Sequence, residues 1–93
     1  MENNGLHGLD WSKIPRGLTK YLEMKETLTN ADCSEVSDLE NHSWLIALMY
    51  YDNENGHVGV YFPDTDEVHH VAPYGKTVIR PTTGTTFWKY NGN

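Results

Sequence analysis

The chain has 93 residues, 13 acids against seven Lys and Arg, a formal net charge of −6 at pH 7 and 38% hydrophobic residues. That length makes one domain, spanning 1–93, and the apolar and aromatic content is that of a folded globule. Net acidity speaks against direct binding to nucleic acid, which depends on clustered Lys and Arg. One cysteine cannot form an internal disulfide. The longest apolar run, Trp44 to Tyr51, is far short of the ~18–20 residues of a membrane span. Residues 1–10 are polar and lack the apolar segment of a signal peptide, so the cytoplasm is the expected compartment.

In chain order, 1–11 reads as a loose arm with Gly5 and Gly8. Ser12 to Leu28 is a helix candidate. Pro15 suits a first turn, and Leu18, Tyr21, Leu22 and Lys25 follow helical spacing. A strand over Leu18 to Met24 is the alternative. A second, short helix is expected at Cys33 to Asn41, because Asp32 can cap its start and Glu35 stands three residues on, as in a capping box. In that reading Glu35, Asp38 and Glu40 face water.

Ser43 to Tyr51 is apolar on both faces and reads as a central strand with a helix over one side. Asn55-Gly56 is a strong two-residue hairpin signal. Such a turn sets Met49 opposite Phe62 and Tyr51 opposite Val60. Met49, Tyr51, Val58, Val60 and Phe62 then share a core face, and Tyr50, Asp52, Glu54, His57, Gly59 and Tyr61 share the other. Pro63 to Asp66 is a turn, Glu67 to Ala72 a strand and Pro73-Tyr74-Gly75 a break. Lys76 to Arg80 and Thr85 to Tyr90 read as a last hairpin around Pro81 to Gly84. The expected fold is α+β: one or two N-terminal helices packed on an antiparallel sheet of four to five strands.

Little in this chain carries catalytic chemistry. His69 and His70 are neighbours in a strand and point to opposite faces, so they cannot chelate one ion together. His57 can meet one of them across strands, but no set of three or four ligands at zinc spacing stands out. Cys33 sits beside Asp32 and Glu35, which raise a thiol's pKa and favour a structural role. Neither the phosphate-loop glycine pattern nor a nucleophile elbow occurs. No catalytic residue, metal site or cofactor is expected.

The charge pattern is the informative feature. From Glu26 to Gly75 there are ten carboxylates (Glu26, Asp32, Glu35, Asp38, Glu40, Asp52, Glu54, Asp64, Asp66 and Glu67) and no Lys or Arg. Residues 76–93 carry Lys76, Arg80 and Lys89 and no acid. B-DNA presents a negative charge about every 1.7 Å of its axis. Carboxylates along a helix edge and at hairpin tips can imitate part of such a row and occupy the groove of a DNA-binding protein. Asp32, Glu35, Asp38 and Glu40 are one expected cluster. Asp52 and Glu54 at one hairpin end, with Asp64, Asp66 and Glu67 at the other about 20 Å away, are a second. Ordinary surface and turn chemistry is the alternative reading of the same residues.

In size, acidity and its eight asparagines, the chain resembles small acidic phage-encoded anti-defence proteins, of the kind of the anti-restriction nuclease protein of T-even phages. The resemblance is one of general character, without a shared motif. It implies a non-enzymatic DNA mimic in the host cytoplasm that inhibits a basic DNA-binding protein such as a host nuclease, and a homodimer. The runner-up is an adaptor module that binds a protein through an aromatic face of Trp44, Tyr50, Tyr61 and Trp88.

Overall fold

The computed structural model describes residues 14, 19–50, 54–72 and 75–92. The expected arm, most of the first half of the expected first helix, Tyr51, Asp52 and the Pro73-Tyr74 break lie outside them. The elements in order are β1 (Thr19–Lys20), α1 (Tyr21–Asn30), β2 (Cys33–Val36), a 3-10 turn over Leu39–Asn41, β3 (Leu45–Tyr50), β4 (Asn55–Phe62), β5 (Glu67–Ala72), β6 (Gly75–Ile79) and β7 (Thr86–Tyr90). The fold is α+β; among the described residues there is one helix and a wholly antiparallel sheet of seven strands rather than four to five.

The sheet order is β2-β7-β3-β4-β5-β6. One edge of β4 pairs along β3; the other is shared, with β5 at Val60–Phe62 and the short β1 at Asn55 and Gly56. β3 is central and buried on both sides, as its unbroken apolar run requires. One face of the sheet carries Ile46, Leu48, Val58 and Trp88, covered by Met24 and Leu28 of α1 and by Ile14. The other carries Leu45, Ala47, Met49, Tyr61 and Val68, with Val36, Leu39, Ile79 and Phe87 packed around them. Full burial of side chains such as Met24, Leu28, Ile46 and Leu48 contributes roughly 1.5–3 kcal/mol each.

Several expectations are corrected. The helix starts at Tyr21, after Thr19 and Lys20 have entered the sheet, and runs on to Asn30. Its buried stripe is Met24 and Leu28 with Tyr21 beside it, whereas Leu22 is 76% exposed. The second helix does not form: Cys33 to Val36 pair with Tyr90 to Phe87, and Asp32 takes φ 67° in a turn instead of capping a helix. Ladder bonds to β7 outweigh a local capping pattern. Only Leu39–Asn41 is helical, as a 3-10 turn.

The β3–β4 hairpin exists, but Asn55 and Gly56 lie inside β4. Met49 stands opposite His57 and Tyr50 opposite Gly56. This register is five residues from the expected one, and an odd slip exchanges faces. Met49 therefore shares its face with His57 and Tyr61, away from Val58 and Val60. Gly56 serves close approach: a Cβ there would lie 3.1 Å from Leu48 Cδ1 and 3.3 Å from the Tyr21 Cα. The last two strands form as expected but not as a hairpin. β6 pairs with β5, and β7 inserts between β2 and β3.

Candidate functional site: the exposed carboxylates

Nine of the ten expected site residues are described; Asp52 lies outside. Eight of the nine are exposed and Glu67 is half-buried. Glu26 projects from the water side of α1. Glu35 sits on the edge strand β2, opposite Trp88. Glu40 is on the 3-10 turn, whose Leu39 packs on the face of the sheet away from α1. The first cluster is thus spread over a turn, an edge and the far side of the sheet. The second is divided as expected. Glu54 precedes β4 and Asp64 follows it, and eight strand residues between them span about 25 Å.

The nine differ in what they touch. Asp38 accepts hydrogen bonds from Asn41 Nδ2 and His42 Nε2, each at 3.2 Å. These two bonds, with one from its own backbone, hold its carboxyl below the usual range. Asp66 Oδ1 accepts the Tyr61 hydroxyl at 2.7 Å, and its Oδ2 lies 3.4 Å from Arg80 Nη1. Glu67 Oε1 is 3.1 Å from His69 Nε2. Among the described residues, the carboxylates of Glu26, Asp32, Glu35, Glu40, Glu54 and Asp64 make no hydrogen bond or ion pair.

Backbone conformation separates them further. Asp32, Glu54 and Asp66 have φ of 67°, 64° and 56°, and each is the last residue before a strand. Asp tolerates this left-handed region through local hydrogen bonding, whereas Glu does so poorly. Three of the carboxylates therefore also close turns. The Asp32 carbonyl in addition accepts the Asn91 amide at 2.8 Å, tying the α1–β2 turn to the end of β7.

No local pattern pairs Arg80 with Asp66, because that contact depends on β6 pairing with β5. It couples a base of the positive segment to the acidic stretch. The aromatic face is also corrected: Tyr61 and Trp88 are each 5% exposed, on opposite faces of the sheet. Tyr61 packs against Phe87 with the rings tilted at 52° and their centroids 4.6 Å apart. Trp88 Nε1 donates to Thr86 Oγ1 at 2.9 Å. Tyr50 alone of the four is largely exposed, with Tyr21 edge-on to it at 5.2 Å.

His57 and His70 do meet, Nε2 to Nδ1 at 3.0 Å, while His69 points to the other side, edge-on to Phe62. Among the described residues no three His, Cys, Asp or Glu side chains converge as metal ligands. Burial, and then the charge of Asp32, push the Cys33 thiol up to about 11. The thiolate is thus scarce at neutral pH, and the side chain belongs to the core under α1. No described helix is long and apolar enough to cross a membrane. The chain matches no family model, no curated protein and no solved structure.

Proposed function

We propose that this protein is a non-enzymatic inhibitor that presents its carboxylates to the basic groove of a DNA-binding protein, such as a host nuclease, and so excludes DNA from it. The observation that carries this reading is the state of the acidic stretch. All nine described carboxylates reach solvent, six of them make no hydrogen bond or ion pair among the described residues, and the stretch holds no Lys or Arg. Such uncompensated charge steers a basic partner over long range and weakens with salt. The competing aromatic-face reading loses Tyr61 and Trp88 to the core.

Glu35, Glu40 and Asp64 are the residues to reverse, because their side chains make no hydrogen bond or ion pair among the described residues. The test is capture of partners from a bacterial lysate, with elution by rising salt and by competing DNA. A DNA-binding protein released by both, and no longer held by the triple Lys variant, is the expected result. A partner indifferent to salt, to DNA and to the three reversals would overturn the proposal.

A further inference from the structure

Three Asn-Gly pairs occur in the chain: Asn4-Gly5, Asn55-Gly56 and Asn91-Gly92. The first lies outside the described residues, and the fold treats the other two in opposite ways. Asn55 and Gly56 are inside β4, in register with Lys20 and Thr19 of β1, and Gly56 also stands opposite Tyr50 of β3. Gly56 is buried, with Leu48, the Met49 carbonyl oxygen and the Tyr21 backbone all within 3.3 Å of where a Cβ would stand. Asn91 and Gly92 follow β7, outside any strand, and both are exposed. The Asn91 backbone N–H donates to the Asp32 carbonyl at 2.8 Å, and its Nδ2 donates to Ser34 Oγ at 2.7 Å. The Gly92 amide makes no hydrogen bond among the described residues.

We propose that Asn91 is a modification site, which the folded protein converts to aspartate and isoaspartate through a cyclic imide, while Asn55 is spared. The Gly92 nitrogen, once hydroxide has taken its proton, attacks Cγ of Asn91. The new C–N bond forms, the bond from Cγ to Nδ2 breaks, and Nδ2 takes a proton from water and leaves as ammonia. Water then opens the ring, at Cγ to give aspartate or at the main-chain carbonyl to give isoaspartate. The ring holds Cα, Cβ, Cγ and the carbonyl carbon of Asn91 with the Gly92 nitrogen. The Asn91 N–H and its bond to Asp32 lie outside it and persist. What must yield is the bond from Nδ2 to Ser34, between two exposed side chains. Glycine as the following residue leaves no Cβ in the path of the nitrogen. Asn30 and Asn41 precede Ala31 and His42, which carry one. At Asn55 the same closure has to turn the Gly56 peptide out of its place between β1 and β3, so it waits for the sheet to open. Either product leaves a carboxylate at position 91, beside Asp32 and Ser34, where the fold had an amide. The Ser34 hydroxyl, an acceptor for the amide, can rotate and donate to the acid.

The test is incubation of the intact chain at pH 8, folded and in guanidinium chloride, with peptide mapping by mass spectrometry to follow each asparagine. In denaturant Asn55 and Asn91 should react at similar rates. In the folded chain Asn91 should stay within about threefold of its denatured rate while Asn55 slows by at least about tenfold, because only Asn55 depends on opening of the sheet. Isoaspartate at position 91, found together with aspartate, identifies the cyclic imide. Equal rates at the two sites in the folded chain overturn the proposal, as does protection of Asn91 by tenfold or more. A product at position 91 that is aspartate alone, the mark of direct hydrolysis, overturns the route through the imide and with it the role of Gly92.

Discussion

The Tyr61 hydroxyl donates to Asp66 Oδ1 at 2.7 Å, joining the end of β4 to the turn that leads into β5. The bond to the carboxylate, then burial, push the phenol up to about 12. A raised tyrosine value means that the unfolded chain ionises first. The stability this contact supplies is whole below about pH 10 and is lost as pH rises through 12. Asp66→Asn should retain the left-handed backbone, cost about 1 kcal/mol and bring the Tyr61 titration back toward 10. Absorbance titration of the phenolates and urea unfolding at pH 7 check both. The same variant separates fold from binding: Asp66 is engaged with Tyr61 and Arg80, so its loss should lower stability more than partner affinity.

The Cys33 thiol, pushed up to about 11, yields a kinetic expectation. In the folded protein at pH 8 it should react with iodoacetamide at least about tenfold more slowly than in denaturant, because both burial and thiolate scarcity act in the same direction. Mass spectrometry of the alkylated chain measures this. Rapid native alkylation would restore the nucleophile reading that the sequence disfavours.

What was legible in the sequence follows the range of the interaction. The β3 run announces itself because a strand buried on both faces needs unbroken apolar residues, and β5 is bounded by its turn. β2 was not legible. Asp32 and Glu35 carry a local helix-start pattern, yet Cys33 to Val36 find their partners at Phe87 to Tyr90, more than fifty residues away. Asn55-Gly56 misled for a different reason. A glycine that permits a turn also permits close packing, and Gly56 is used for the second, under Tyr21. β6 and β7 are neighbours in sequence but strands apart in the sheet. Of the candidate site, composition identified the carboxylates and their exposure follows from their chemistry. Their placement on several sides of the molecule, and the hold of Arg80 on Asp66, depend on pairings that no local pattern encodes.

Glu54 offers a test of turn against surface. At φ 64° its side chain is in a conformation that disfavours a Cβ. Glu54→Gly should raise stability by about 0.5–1 kcal/mol, the relief of strain exceeding the added chain entropy. Asp64, exposed and without a positive φ, is the control: Asp64→Gly should give no such gain. Thermal unfolding of the two variants distinguishes them. Equal shifts would trace the effect to removing negative charge from an acidic protein rather than to the backbone.

Gly59 marks a close crossing of β4 and β5. A Cβ built there would lie 2.7 Å from Val68 Cγ1, 2.9 Å from the His69 carbonyl oxygen and 3.0 Å from His70 Cβ. The carbonyl belongs to the backbone and cannot rotate away, so β5 must move. Gly59→Ala should therefore destabilise by about 1–3 kcal/mol, the range for overpacking a filled core, although alanine is otherwise the milder residue in a strand. The clash with Val68 is separable by a double-mutant cycle in urea unfolding. Val68→Ala alone leaves a cavity, and its cost combined with Gly59→Ala should fall short of the sum of the two, because the second change vacates the space that the first needs. Strict additivity would mean that the backbone of β5, and not the Val68 side chain, sets how closely the two strands can approach.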